Sequence, residues 1–131
     1  MTKKNNIVVT GGAGFVGTNL IKLLLNKTKL KIISVDNYSS GNKKNQIKNK
    51  RVKYIKGDTV DIEAIIKNPK KVKVVFHFGE FARIYQSFLK MNQCIKSNNV
   101  GSNSVFNLAH SVSICASVGF VIDVSCHSNP S

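Results

Sequence analysis

The fold is decided by the stretch Thr10-Gly11-Gly12-Ala13-Gly14-Phe15-Val16-Gly17, in which three glycines have the spacing Gly-x-x-Gly-x-x-Gly. An apolar run at residues 6–10 precedes it and is typical of a buried parallel strand. Residues 15–26 follow with helical spacing, and we expect their buried face to carry Val16, Leu20, Leu23 and Leu24. This order predicts a loop that holds phosphate groups at a helix N-terminus.

Each glycine of the loop has an expected role. Gly11 lets the chain turn sharply out of the first strand, and Gly14 lets backbone approach a pyrophosphate. Gly17 lets the helix pack tightly on the sheet. A glycine triplet alone is weak evidence, but a strand before it, a helix after it and an acid at the end of the next strand make it specific.

Strands and helices alternate along the rest of the chain. We predict strands at 31–36, 52–55 and 72–78, and a fifth at 120–125. Residues 38–50 are predicted to form a loop with a short helix. A helix at 61–67 is expected to be capped by Asp61 and stopped by Pro69, and a long helix is expected at 87–110. The alternation predicts an α/β fold with a doubly wound parallel sheet of about five strands.

Three polar residues in or after the predicted strands are considered for a function. Asp36 lies 19 residues after Gly17, where a carboxylate hydrogen-bonds adenosine ribose hydroxyls and repels a 2′-phosphate, which favours NAD over NADP. Its alternative role is to cap the turn that follows. Asp58 is expected either to accept from an adenine amino group or to cap the next turn. His77, inside an apolar strand, is interpreted as a packed core histidine and not as a catalyst.

Composition narrows the functional classes. Twenty Lys and Arg against six Asp and Glu give a formal charge of +14, which suits a nucleic-acid partner or attraction of an anionic nucleotide. The lysines are scattered in the sequence among asparagines and isoleucines, and the densest cluster, 43–56, has one Arg and only Tyr54 as an aromatic. That is a poor platform for stacking bases, so a nucleic-acid partner is not expected.

Cellular location and metal binding follow from simpler features. Cys94, Cys115 and Cys126 form neither a disulfide framework nor a zinc spacing, so reduced thiols and no metal are expected. No apolar stretch approaches the length of a membrane helix, and the N-terminus carries no secretory signal. The expected location is therefore cytoplasmic, without a membrane partner.

Five motifs in register resemble one known family. Besides residues 10–17 they are Val35-Asp36-Asn37-Tyr38-Ser39-Ser40-Gly41, Gly57-Asp58, Val75-Phe76-His77-Phe78-Gly79 and Asn98-Asn99-Val100-Gly101-Ser102. In this order and spacing they resemble the extended short-chain dehydrogenase/reductases. The branch most similar to this sequence is that of the NAD-dependent nucleotide-sugar epimerases and dehydratases, which includes the UDP-glucose 4-epimerases. The resemblance covers about residues 5–109.

The resemblance implies NAD as the cofactor and a role for each matching residue. Pyrophosphate contacts are implied for Gly11, Gly14, Phe15, Val16 and Gly17. Adenosine ribose contacts are implied for Asp36, Asn37, Ser39, Ser40 and Gly41, and adenine contacts for Asp58 and Thr59. Nicotinamide-side contacts are implied for Phe78, Gly79 and Glu80, with Asn98 supporting the site. Glu80 departs from the family, which usually has a small residue there.

The family's proton-transfer motif is not found in this sequence. It is Tyr-x-x-x-Lys, in which the lysine lowers the pKa of the tyrosine that takes the substrate proton. None of Tyr38, Tyr54 and Tyr85 has a lysine four positions later. The motif is expected some 20 residues beyond Ser125, which is itself a candidate for the family's catalytic serine.

Residues 1–109 are therefore expected to be an NAD-binding domain. Residues 110–131, which hold no Lys or Arg, are expected to be either a divergent segment or an out-of-frame tail. The function expected is the NAD-binding part of a nucleotide-sugar epimerase or dehydratase, not catalytic alone, with a UDP-sugar as the family's substrate. The family's homodimer is not expected for this chain. The alternatives are a non-catalytic dinucleotide-binding module and a basic nucleic-acid-binding protein.

Overall fold

A computed structural model of the chain describes residues 3–39, 41–78, 92, 100–111 and 115–118. Five strands form one sheet: β1 (Asn6–Thr10), β2 (Lys31–Asp36), β3 (Val52–Lys56), β4 (Val72–His77) and β5 (Cys115–Val118). Three α-helices are described, namely α1 (Phe15–Lys27), α2 (Ile62–Ile65) and α3 (Ser102–Ser111). Short 3₁₀ helices lie at Lys43–Asn45, Thr59–Asp61 and Pro69–Lys71.

The strand order is β3-β2-β1-β4-β5, and every neighbouring pair is parallel. The chain leaves β1 toward one side to form β2 and β3, then crosses back to place β4 on the other side of β1. This reversal opens a crevice at the carboxyl ends of β1 and β4, which is where doubly wound sheets bind ligands. The predicted α/β class and doubly wound parallel sheet are confirmed.

The core consists of two layers, one on each face of the sheet. The alternation along β1 shows the division, because Val8 belongs to one cluster while Ile7 and Val9 belong to the other. Ile62 of α2 and Val105 of α3 complete the first cluster. The second lies under α1, whose buried residues are Gly17, Ile21 and Leu24. Each fully buried valine or isoleucine contributes about 1.5–3 kcal/mol relative to an exposed one.

The face that α1 buries differs from the expectation. Leu24 is buried as predicted and Leu20 packs partly against the core, but Val16 is 41% and Leu23 is 52% exposed. Residues 15–25 carry apolar side chains on nearly every side of the helix. The spacing of apolar residues alone therefore predicted the wrong buried face. Contact between Gly17 and the preceding loop fixes the rotation of the helix instead.

The ends of two other helices also differ from the predictions. The second helix ends at Ile65 and not at residue 67, and Pro69 begins a 3₁₀ turn instead of stopping a helix. The long predicted helix is represented by α3, with Asn92 also helical; the remainder of its range before residue 100 lies outside the described residues.

The fifth described strand, β5, lies at Cys115–Val118, where the sequence predicted none. The prediction at 120–125 falls outside the described residues. Strand β5 pairs in parallel with β4 and so extends the sheet. Within the described part of the chain, no helix combines the length and apolarity needed to cross a membrane.

Candidate functional site

The glycine loop follows β1 directly and is held by backbone hydrogen bonds. Gly11 has a positive φ of 71°, which a glycine adopts without steric cost, and its N–H donates to the carbonyl of Val35 at 2.8 Å. The N–H of Gly14 donates to the carbonyl of Gly11 at 3.1 Å. The loop therefore closes on itself while it stays attached to β2, as the expected sharp turn requires.

Helix α1 starts against this loop with no room for a side chain at Gly17. A Cβ placed there would overlap the carbonyl oxygen of Gly11 and lie 2.7 Å from the Cα of Gly12. The tight packing expected of Gly17 is thus made chiefly against the loop backbone. No side chain caps the helix at Gly14, and no acid occupies the first turn, so the amides of the first turn face outward unneutralised.

Asp36, at the end of β2, connects the glycine loop to the next turn. Its Oδ2 accepts from the N–H of Ala13 at 3.0 Å, and its Oδ1 accepts from the N–H of Tyr38 at 2.8 Å. The side chain is 8% exposed. The turn-capping role considered from the sequence is therefore real, and the same carboxylate also fastens the loop.

The segment after β2 folds back onto Ala13. The carbonyl of Ala13 accepts from the N–H of Asn42 at 3.2 Å and from Nδ2 of Asn45 at 2.9 Å. Sequence reasoning missed Ala13, Asn42 and Asn45, because loop asparagines have no periodic signal. Tyr38, at a φ of 60°, is held in this turn by Asp36 and by a hydrogen bond from Gln46 to its hydroxyl.

These elements line a cleft at the carboxyl edge of the sheet, which has about 430 Å³ of space when the part open to solvent is included. Eight predicted cofactor residues line it: Gly11, Gly14, Asp36, Asn37, Ser39, Gly41, Thr59 and Phe78. Val35 and Gly57 line it as well and were not predicted. Glycine supplies four of the ten lining positions, so backbone forms much of the wall.

Four other predicted residues do not line this cleft. Gly17 is buried beneath the loop, while Phe15 (83% exposed) and Val16 project from the first turn of α1. Asp58 accepts from the N–H of Val60 at 3.3 Å and so caps the 3₁₀ turn, which is the alternative considered for it. Ser40, Gly79, Glu80, Asn98 and Ser125 fall outside the described residues, and their roles stay predictions.

A buried polar chain lies directly beneath the glycine loop. His77, fully buried, contacts the hydroxyl of Thr10 through Nδ1 at 2.6 Å and the hydroxyl of Ser102 through Nε2 at 2.9 Å. Burial lowers the pKa of His77 to about 4, so the ring is neutral at pH 7. The interpretation as a core histidine agrees with this geometry, and the missed partner is Ser102 at the start of α3.

The hydroxyl groups of the two described tyrosines already form hydrogen bonds within the chain. The hydroxyl of Tyr38 accepts from Gln46, and that of Tyr54 accepts from the N–H of Ile47 at 2.9 Å. Burial raises the pKa of Tyr54, which is the opposite of what a proton-accepting tyrosine needs. In the described ranges no cluster of three His, Cys, Asp or Glu residues has the arrangement of a metal site.

The sequence is similar to proteins of one known family. The sequence profile of the NAD dependent epimerase/dehydratase family matches residues 7–123. The chain is 33% identical over 113 residues to UDP-glucuronic acid decarboxylase 1 of Arabidopsis thaliana, covering 84% of this chain and 25% of that protein. It is 31% identical over 103 residues to a UDP-glucose 4-epimerase of Pasteurella multocida, covering 73% of this chain and 30% of the relative.

A solved structure shares the same fold. An enzyme of Bordetella bronchiseptica in complex with NAD⁺ matches with a TM-score of 0.80 and 25% identity, over 98% of this chain and 41% of that one. The chain spans a quarter to two-fifths of the length of these three proteins. Because the profile match runs from β1 through β5, the chain belongs to the NAD-dependent epimerase/dehydratase family.

Proposed function

We propose that this chain binds NAD in the cleft at the carboxyl edge of its sheet, as the cofactor-binding part of an enzyme that acts on a nucleotide sugar. The observation that carries the proposal is the bond from Ala13 to Asp36, which joins a phosphate-type loop to a ribose-type carboxylate. Family membership and a matching fold solved with NAD⁺ support it.

The residues present fit a dinucleotide. Gly14 lies at the mouth of α1, where a Cβ would come within 3.3 Å of the carbonyl of Gly11 and narrow the space over the loop. The uncapped first turn of α1 offers amide donors and a partial positive charge to a pyrophosphate. Phe15 and Val16, whose side chains project outward, contribute their backbone N–H groups in this arrangement.

The adenosine half would lie beside Asp36. Each carboxylate oxygen already accepts one backbone N–H, and each retains a lone pair for a ribose hydroxyl. A 2′-phosphate would meet this carboxylate at close range and be repelled, so the site favours NAD over NADP. Thr59, which is 5% exposed, and Gly57 both line the cleft, and we propose that they contact the adenine.

When bound, NAD supplies the hydride acceptance and return on which epimerisation at a sugar carbon depends. The residues of this chain position the dinucleotide: the loop fixes the pyrophosphate, Asp36 fixes the ribose, and Phe78 borders the cleft where β4 ends. Proton transfer from the sugar is assigned to residues other than Tyr38 and Tyr54, whose hydroxyls are already engaged. Ser125 remains our candidate for the serine of that step.

The substrate proposed is a UDP-sugar, because the two curated relatives are named for UDP-glucose and UDP-glucuronic acid. We propose the 4-epimerase reaction, and we propose that residues up to at least 118 belong to the NAD-binding unit. Incubation of the full chain with NAD⁺ and UDP-galactose tests catalysis directly. Formation of UDP-glucose establishes the epimerase, whereas NAD binding without product indicates a cofactor-binding module.

Calorimetric titration with NAD⁺ and NADP⁺ tests the cofactor assignment. We expect saturable binding of NAD⁺ at one site and binding of NADP⁺ at least about tenfold weaker, by analogy with other sites that read the ribose with an acid. Asp36→Asn should reduce the difference between the affinities for NAD⁺ and NADP⁺, because it removes the negative charge that repels the 2′-phosphate. Equal affinities in the wild-type protein would contradict the proposed role of Asp36.

A further inference from the structure

Lysines that are scattered in the sequence are gathered at one edge of the fold. They precede or begin each of the first four strands: Lys3 and Lys4 before β1, Lys29 and Lys31 at β2, Lys50 and Lys53 at β3, and Lys67, Lys70, Lys71 and Lys73 at β4. Because all strands are parallel, their amino ends meet at the same edge. Lysines that are far apart in the sequence, and so gave no sign of a polyanionic partner, are thus brought together by the parallel topology.

The described acidic residues come at or after the ends of strands and not at their starts. Four carboxylates are present among the described residues, and each ends or follows β2 or β3: Asp36, Asp58, Asp61 and Glu63. Among the described residues, none of these four carboxylates lines a hollow at the amino edge.

Two hollows at this edge lie side by side, and together with a third we call them the amino-edge groove. The first two have about 960 and 760 Å³ of open space and share Asn6, Ile33, Lys53 and Asn68 as lining residues. The third hollow continues past Asn68 toward Lys70. Six lysines line the groove: Lys31, Lys50, Lys53, Lys67, Lys70 and Lys71.

The groove has more lysines than are needed to balance the partial negative charges at the carboxyl ends of the helices. The carboxyl end of a helix carries about half a negative charge, so α1, α2 and α3 together need about one to two cations at this edge. Arg51 already meets part of that need, because its guanidinium donates to the carbonyls of Leu25 and Thr28 at 2.7 Å each. Six groove lysines exceed the remaining requirement severalfold.

We propose that the amino-edge groove binds the phosphate backbone of a nucleic acid. Its lysines lie beside an apolar floor that includes Ile33, Ile55 and Ile65, and its described lining residues include no aromatic ring on which a base would stack. Binding is therefore sequence-independent and set by phosphate contacts. The groove is concave, which suits a strand lying within it and not the flat surface of an anionic membrane. It lies at the edge opposite the glycine loop, so it is separate from the dinucleotide cleft.

Fluorescence anisotropy with a labelled oligouridylate tests the proposal, because oligouridylate offers phosphates with little base stacking. The full-length wild-type chain is titrated across a series of salt concentrations. If all six lysines contact phosphates, log K should fall against log salt with a slope of about −4, from roughly 0.7 per contact. Saturating NAD⁺ should leave this binding unchanged.

Two matched triple variants distinguish the effect of the groove lysines on binding from the effect of net charge. Lys31→Gln/Lys53→Gln/Lys71→Gln removes three exposed groove lysines, and Lys22→Gln/Lys44→Gln/Lys56→Gln removes three exposed lysines elsewhere. Both lower the formal charge of +14 by three. We expect the groove variant to bind about 100-fold more weakly at 0.1 M salt, and the control variant less than about threefold more weakly.

Three outcomes would overturn the proposal. Equal weakening by the two variants would show dependence on net charge alone, and displacement of the RNA by NAD⁺ would place it in the dinucleotide cleft. Groove-dependent binding to phosphatidylglycerol vesicles, without binding to oligouridylate at equal phosphate concentration, would assign the surface to a membrane. Circular dichroism of both variants confirms that each compared protein is folded.

Discussion

The backbone N–H of Ala13 donates to Oδ2 of Asp36 across 3.0 Å, and this bond ties the glycine loop to the end of β2. Ala13 is fully buried, so its N–H has no access to water. The other carboxylate oxygen accepts from Tyr38, which begins the next turn. One side chain thus aligns the elements proposed to hold the pyrophosphate and the ribose.

Asp36→Ala should weaken both the fold and the cofactor site. The buried N–H of Ala13 would lose its acceptor, which costs about 1–3 kcal/mol, and the ribose would lose its carboxylate. Urea unfolding and calorimetry with NAD⁺ measure the two effects. Asp61→Ala is the matched control, because Asp61 is exposed and caps nothing through its side chain. Similar losses in both variants would contradict the assigned role.

Gly17→Ala and Gly14→Ala should separate folding from binding. A methyl at Gly17 would overlap the carbonyl of Gly11, so we expect a loss of several kcal/mol or failure to fold. A methyl at Gly14 has only a 3.3 Å contact to accommodate, and we expect stability within about 1 kcal/mol of wild type but at least about tenfold weaker NAD⁺ binding. Thermal unfolding and calorimetry report each quantity; unchanged NAD⁺ affinity in folded Gly14→Ala would count against the loop as the pyrophosphate site.

Stability should fall as the pH drops below about 6.5, in part because of His77. Burial lowers the pKa of this ring in the folded state to about 4, whereas the unfolded chain protonates it near 6.5. Between these values the unfolded state binds more protons, so acid favours unfolding, by up to about 3 kcal/mol at the lower end. Urea unfolding from pH 7 to 4 should show a shallower pH dependence in His77→Gln. An identical dependence in the variant would refute the assignment to His77.

Arg51→Lys should destabilise the fold although it preserves the charge. The guanidinium reaches carbonyls of Leu25 and Thr28 together, which a single ammonium group cannot reproduce. We expect a loss of about 1–2 kcal/mol in urea unfolding. Lys50→Gln, at the exposed neighbouring position, serves as the control and should change stability by less than about 0.5 kcal/mol.

Local signals predicted the centre of this fold well. The run 6–10 and the glycines after it specify β1 and the turn, because a positive φ at Gly11 and a helix start at Phe15 have distinct residue preferences. Asp36 was found because it ends the second predicted strand, 19 residues after Gly17. Its bond to Ala13 could not be predicted, since it depends on how the loop folds over that strand.

Features that depend on tertiary contacts could not be predicted from the sequence. The rotation of α1 depends on Gly17 meeting the loop, and a helix apolar on many sides gave no sign of it. Strand β5 was not predicted because Cys115–Val118 is short and its identity as a strand comes from pairing with β4. The amino-edge groove was invisible because parallel topology, not sequence proximity, brings its lysines together.

Amide chemical-shift mapping by NMR during titration with NAD⁺ tests the central claim most directly. We predict saturable shifts concentrated in Gly11, Ala13 and Gly14 of the loop, and around Asp36 and Thr59, with the amides of Lys31 and Lys53 unmoved. A folded chain that shows no saturable shift in the loop, or whose shifts lie in the amino-edge groove, would contradict the account.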